Sequence, residues 1–345
     1  MIANGIEFHN VDHLEQMEGV PGVRIERFPQ EFSRKLGKDE NHRGRSRAEK
    51  SQSTELRFVT QARYFDLALT ALNEDVELTV YCGDMVHQRV MLKAGVFTVL
   101  HITESEIYNT VDRTMLPKGR FAPYVWRILL GFDGYVQFHY LDTFGYDRRP
   151  PSEAEKPGKT LLAYGSSITC GHAVKRYPTC YAYQTASRLG MDLVNKGLSG
   201  ACHIEPFVSD YLSGLDADVV LAELGVNMIS MFPPEEFEER VDYFLKQMKE
   251  RSRAEYIFVT DVFPNKGILA LDKNSANHVR YPLYKEIVKR LVTAQQDKRF
   301  FYLDGADIVK DLTYLTTDLL HPSDEGHVKM AENLAGMMKK AMNLQ

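Results

Sequence analysis

At 345 residues the chain exceeds the usual extent of one hydrophobic core, so two domains are expected. Its 44% hydrophobic and 26% charged content is that of a soluble globular protein, and no apolar run is long enough to span a bilayer. A formal net charge of -5 excludes electrostatic attraction to nucleic acid or an anionic membrane as the main basis of partnership, which leaves a small or neutral ligand.

From the N-terminus to about residue 146 the signals are those of strands. Residues 56–59, 65–69, 76–81, 96–100, 125–129 and 136–140 show the alternation and the β-branched or aromatic enrichment of half-buried strands, with Gly, Asn and Asp in the gaps. Many short strands without a convincing helix predict an all-β jelly-roll or sandwich domain over residues 1–146. Within it, residues 34–50 are mostly basic and lack apolar periodicity, so they read as a solvated loop rather than a patch for an acidic partner. Trp126 has apolar neighbours and reads as a core residue rather than a platform for a sugar ring. The first residues, Met1-Ile2-Ala3-Asn4-Gly5-Ile6-Glu7, lack the features of a secretory signal, so the expectation is a cytoplasmic chain or one whose signal has been removed.

The proline-rich stretch 147–158 reads as a linker. From 159 to 345 the rhythm changes: apolar strands at 161–164, 192–195, 219–224, 256–262 and 300–303 alternate with helical stripes. Phe237, Val241, Phe244, Leu245 and Met248 mark one stripe, Tyr284, Ile287, Val288 and Leu291 another, and a last helix follows Ser323. Five near-continuous apolar strands in βα units predict an α/β domain, a parallel sheet covered by helices on both faces.

Open parallel sheets bind ligands outside the carboxyl ends of their strands, and four segments fall there. Gly165-Ser166-Ser167 ends the first strand, Lys196-Gly197-Leu198-Ser199-Gly200 follows the second, Gly225-Val226-Asn227 the third, and Asp318-Leu319-Leu320-His321-Pro322 comes after the fifth. A serine hydroxyl is a poor nucleophile at neutral pH, so an imidazole must take its proton, and His321 is the candidate. Asp318, three residues earlier, is placed to accept from the far imidazole nitrogen and fix its tautomer. The negative oxygen of a tetrahedral intermediate needs fixed donors, for which the backbone N–H groups of Ser167 and Gly200 and the Asn227 amide are candidates. Losing one such donor typically costs about 2.7–4 kcal/mol of transition-state stabilisation.

These four segments, in this order, resemble the SGNH, or GDSL-type, hydrolases from about Lys159 to the C-terminus. The resemblance implies a flavodoxin-like three-layer fold and an ester substrate. It also implies Ser167 as nucleophile, Gly200 and Asn227 as oxyanion donors, His321 as base and Asp318 as its orienter. Ser166 stands where the family usually has Asp, and Met228 where it often has Asp, which sets the subfamily apart. Ser166 also raises the question of which hydroxyl attacks, and alignment on Gly-x-Ser-Ile-Thr favours Ser167. A β-sandwich ahead of Ser-Ile-Thr-Cys-Gly looks like the two-domain carbohydrate esterases and is similar to some natural-product acyltransferases.

No Gly-x-Gly-x-x-Gly follows the first strand, so a dinucleotide cofactor lacks support. The acidic and histidine residues are scattered and a serine mechanism needs no metal. Cys82, Cys170, Cys180 and Cys202 lack metal-ligand spacing and read as reduced thiols, with Cys170 packed rather than nucleophilic. His327 reads as a surface or capping residue, and His172 and His203 as loop histidines near the mouth. Glu223 is unusual in a buried strand and requires a partner. The loop 265–278 is placed to border the pocket. The leading expectation is a serine esterase for small acyl, chiefly acetyl, esters of a carbohydrate or polyol. An acyltransferase using the same acyl-enzyme and a non-catalytic carbohydrate-binding protein are the alternatives, and the sequence indicates no oligomeric state.

Overall fold

Alternating apolar side chains in the first part of the chain build two antiparallel sheets in the computed structural model, which describes residues 1–37 and 43–344. One sheet runs in the order Ile2–Ala3, Ile6–His9, Glu55–Thr60, Trp126–Leu130, Val76–Cys82, Met85–Leu92. The other runs His13–Gln16, Val23–Glu26, Val136–Asp142, Tyr64–Ala71, Phe97–Thr103. Both belong to a first compact unit, Met1–Gly158. Phe8, Phe58, Val80 and Ile128 from one sheet join Ile25, Phe65, Leu67 and Phe138 from the other in one buried cluster, the core of a sandwich. Trp126 lies in that core, edge-on to Phe65 at 5.0 Å and to His87 at 5.2 Å. It also lines a cavity of about 610 Å³ with Tyr108, Tyr124, Glu104 and Arg113.

Two expectations for this unit need correction. The central strands of the first sheet are buried on both faces rather than one, because their polar side chains neutralise each other. Arg127, 1% exposed, donates to Glu55 at 2.7 Å and to Asp84 at 3.0 Å, under the ring of Phe121 with its centroid 3.8 Å away. The stretch 34–50 is not simply a solvated loop. It contains the end of a helix, Gln30–Lys35, and a second helix, Arg43–Ala48, while residues 38–42 lie outside the described residues. Arg47 donates to Asp133 at 2.9 Å and the buried Lys50 bonds the same carboxylate, so distant charge order these basic residues. The proline-rich segment carries a short strand, Arg148–Arg149, paired with Glu55–Thr60, and a single turn, Glu153–Glu155, capped by Ser152.

The second unit, Lys159–Gln345, contains a five-stranded parallel sheet. Its strands are β1 (Thr160–Tyr164), β2 (Asp192–Asn195), β3 (Val219–Glu223), β4 (Tyr256–Thr260) and β5 (Phe300–Leu303), in the order β2-β1-β3-β4-β5. That is the flavodoxin-like order, with its switch point between β1 and β3. The helices are α1 (Ser167–Cys170), α2 (Tyr181–Arg188), α3 (Pro206–Ser213), α4 (Pro234–Arg251), α5 (Ala276–Thr293), α6 (Gly305–Ile308) and α7 (Asp324–Met342). α2 and α6 pack on α7, while α3, α4 and α5 pack in succession, so helices form two layers around the sheet. The predicted stripes on α4 and α5 are the buried ones. Ser323 caps α7 by accepting from Gly326 N–H. Among the described residues no helix is long and apolar enough to cross a membrane.

Candidate active site

The site is built at the end of β1. Gly165 has no room for a side chain, since a Cβ there would lie 2.2 Å from Thr169 Oγ1 and 2.6 Å from Glu223 Oε2. Ser166 is the N-cap of α1 and its hydroxyl, fully buried, accepts from Ile168 N–H at 3.2 Å. Ser167 is the first residue of the helix, so its backbone N–H has no partner within the helix. Its Oγ lies 2.8 Å from His321 Nε2. Of the two neighbouring hydroxyls, capping therefore engages Ser166, and the imidazole meets Ser167.

His321 Nδ1 lies 2.6 Å from Asp318 Oδ2. The other Asp318 oxygen accepts from His321 N–H and Leu320 N–H, both at 2.9 Å, and from the Thr316 hydroxyl at 2.8 Å. Burial works against ionisation of Asp318, but the bonds from the His321 ring, the two backbone N–H groups and Thr316 win and hold its carboxyl well below the usual range. The two side chains come from one turn closed by Leu319 N–H to Thr316 O at 2.9 Å and Thr316 N–H to His321 O at 2.8 Å. Leu319 adopts φ +54°, a left-handed conformation that an unsupported leucine would avoid. The loop 265–278 supplies part of that support, because Lys266 N–H donates to Leu319 O at 2.7 Å.

The remaining predicted residues lie on loops that hydrogen bonds draw together. Leu198 N–H donates to Gly165 O at 2.8 Å, which sets the loop bearing Gly200 against the end of β1. Gly200 adopts φ +67°, a turn conformation that suits a residue without Cβ. Asn227 Oδ1 accepts from Cys202 N–H at 3.1 Å, joining the loop after β3 to the loop after β2. With its oxygen so engaged, the Asn227 amide has its Nδ2 donors turned elsewhere.

One histidine was misread in the sequence, and the structure supplies partners for the other residues singled out there. His327 is not a surface residue; it is fully buried, with Nδ1 3.2 Å from Tyr181 N–H and Nε2 3.2 Å from His172 O. Its spacing with Ala331, Leu334 and Met338, all buried on α7, is the signal that identifies the buried face. His172 lies beside the site, its ring centroid 4.1 Å from that of His321, and its backbone N–H donates to Ser167 O at 2.9 Å. His203 instead packs against Phe232 at 5.2 Å and lies 3.8 Å from Glu205. The four cysteines are buried and none forms a disulfide, Cys170 among them. Glu223 finds its partners on the turn after β1: Oε2 accepts from Ser166 N–H at 2.7 Å and from the Thr169 hydroxyl at 3.2 Å. Burial pushes its carboxyl up to about 7, against the Ser166 side chain, the Ser166 N–H and the Thr169 hydroxyl, which all favour the ionised form.

Burial also depresses the His327 imidazole to about 4 from an ordinary 6.5, so the folded chain holds it neutral, accepting from Tyr181 and donating to His172. A depressed histidine contributes stability that is present above 6.5 and lost as pH falls through about 4. The shift corresponds to about 3 kcal/mol. Urea-unfolding midpoints measured between about pH 7 and about pH 4 should fall more steeply for wild type than for His327→Gln, which cannot titrate; equal slopes would contradict the assignment.

Residues 158–339 match the model of the GDSL-like lipase/acylhydrolase family. No curated protein matches the chain in sequence. Among solved structures, the salicylyl-acyltransferase SsfX3 from a tetracycline biosynthetic pathway is similar over 98% of this chain and 94% of its own, with a TM-score of 0.79 and 17% identity. A family two carbohydrate esterase from Cellvibrio japonicus covers 99% of this chain and 96% of its own, with a TM-score of 0.64 and 13% identity. Another, from Clostridium thermocellum in complex with cellohexaose, covers 85% and 94%, with a TM-score of 0.58 and 16% identity. At these identities the likeness concerns the fold.

Proposed function

The chain belongs to the GDSL-like lipase/acylhydrolase family and is a carboxylic ester hydrolase, and from that premise we propose that it removes small acyl groups, chiefly acetyl, from a carbohydrate or polyol through an acyl-enzyme on Ser167. The observation that carries this reading is the bonded series Ser167 Oγ, His321, Asp318, at 2.8 Å and 2.6 Å. In the first half-reaction Ser167 Oγ attacks the ester carbonyl while His321 Nε2 takes its proton, and the Asp318 carboxylate stabilises the imidazolium that forms. The Ser167 and Gly200 N–H groups and Asn227 Nδ2 donate to the developing oxyanion. Collapse of the tetrahedral adduct expels the alcohol, protonated by His321. Water then attacks the acyl-serine with His321 again as base, and the acid leaves as Ser167 regains its proton.

The carbohydrate part rests on likeness to carbohydrate esterases over 85% and 99% of this chain. A second reading, transfer of the acyl group to an alcohol other than water, has its own support in the likeness to an acyltransferase over 98% of the chain. Incubation with acetylated sugars, with and without added sugar or alcohol acceptors, separates the two. Free acetate in step with ester consumed, unchanged by acceptors, is the expected product. New acetylated acceptor in place of acetate would establish transfer, and no turnover of any ester despite tight glycan binding would refute both.

A further inference from the structure

The turn that carries Ser167 is held by a second group besides His321. Glu223, the last residue of β3, is fully buried, and its Oε2 holds Ser166 N–H at 2.7 Å and the Thr169 hydroxyl at 3.2 Å, so its bonds bracket Ser167 in the chain. The Tyr181 hydroxyl, from α2, lies 2.8 Å from Thr169 Oγ1. Because Thr169 donates its one proton to Glu223, Tyr181 must donate to Thr169, which gives the series a single direction. Oε1 of Glu223 has no hydrogen-bond partner, and among the described residues no cation pairs with the carboxylate.

A carboxyl group in such a place is costly for the fold. The rest of β3 is apolar, Val219, Val220, Leu221 and Ala222, and a buried charge without a counter-ion costs several kcal/mol. The hydrogen bonds that offset this cost all lie on the nucleophile turn. The same closeness excludes any side chain at Gly165, so the turn and the carboxylate are fitted to each other.

We propose that Glu223 is a positioning residue for acylation: by holding the Ser166 backbone on one side of Ser167 and the Thr169 side chain on the other, it aims Ser167 Oγ at His321 Nε2 and presents the Ser167 N–H to the oxyanion. This rests on the reading of Ser167 as nucleophile. Misplacing a reacting group by about 1 Å costs on the order of 100-fold in rate, so a modest loosening of this turn has a large effect.

The test compares wild type, Glu223→Leu and Glu223→Gln in steady-state hydrolysis of p-nitrophenyl acetate and in labelling by a fluorophosphonate, with the adduct located by peptide mass. The phosphonate adduct forms on Ser167 in wild type. In Glu223→Leu, kcat and the labelling rate both fall by about 100-fold while KM changes little, at temperatures well below its unfolding midpoint. Glu223→Gln keeps an oxygen within reach of Ser166 N–H and recovers most of both rates. An adduct on another residue overturns the nucleophile reading and this proposal with it. An adduct on Ser167 with Glu223→Leu labelled at the wild-type rate overturns this proposal alone, as does an equal loss in the Leu and Gln variants. If Glu223→Leu does not fold, Glu223→Asp replaces it: the acceptor is withdrawn by one methylene, and labelling as fast as wild type is then the overturning result.

Discussion

Replacing Ser167 by Ala should lower kcat for a chromogenic acetyl ester by about 10⁴ to 10⁶, with the protein still folded. The magnitude follows from what is lost. On the proposed mechanism, without the Oγ bonded to His321 at 2.8 Å no acyl-enzyme forms, and only binding and the proposed oxyanion donors remain to assist water. The neighbouring variant is the control. Ser166→Ala removes the acceptor for Ile168 N–H, a capping loss of about 1 kcal/mol, and the hydroxyl's interaction with Glu223, but keeps the backbone N–H on that carboxylate and leaves the Ser167–His321 pair in place, so it keeps most of its activity. Steady-state rates for both variants, with circular dichroism to confirm folding, decide the matter. An active Ser167→Ala together with an inactive Ser166→Ala would reverse the assignment.

Asp318→Asn should lower kcat by about 10⁴ while leaving KM within a small factor of wild type. The carboxylate accepts from Nδ1 at 2.6 Å and so directs the lone pair at Nε2 toward Ser167. An amide at this position presents N–H to Nδ1, which favours the tautomer with its proton on Nε2, the one that cannot act as a base. The other Asp318 oxygen organises the turn through Thr316, Leu320 and the His321 backbone, and Asn retains an oxygen for those bonds. The loss should therefore appear in rate rather than in stability. Measuring kcat alongside the thermal midpoint tests this, and a variant within about tenfold of wild-type kcat would show that Asp318 has no part in setting the tautomer.

The strands of the hydrolase unit and the helical stripes on α4 and α5 were legible because each is a local pattern, an apolar run or a 3.6-residue spacing. In the β-rich unit the inward-facing residues were legible in the same way. The fate of the polar residues between them was not. Arg127 alternates like a solvent-facing residue yet is buried, because Glu55 and Asp84, 72 and 43 positions away in the chain, neutralise it. The stretch 34–50 was misread for a related reason: the charge that orders it, Asp133, is remote. His327 had a usable local signal in its helical spacing, but a histidine's polarity argued against burial, and only the partners Tyr181 and His172 reconcile the two.

For this protein the sequence by itself determined the five strands of the second unit, the striped helices α4 and α5 and the four segments at the strand ends, since periodicity, glycine placement and hydroxyl chemistry are properties of a few adjacent residues. Tertiary structure decided which of two adjacent serines meets the imidazole, because the N-cap of α1 engages Ser166 while a residue 154 positions away approaches Ser167. It also decided where the unusual buried Glu223 finds its donors, 57 positions back on the turn after β1. A pattern of side chains gives the direction each one faces; the partner it meets is fixed only when the strands are laid side by side.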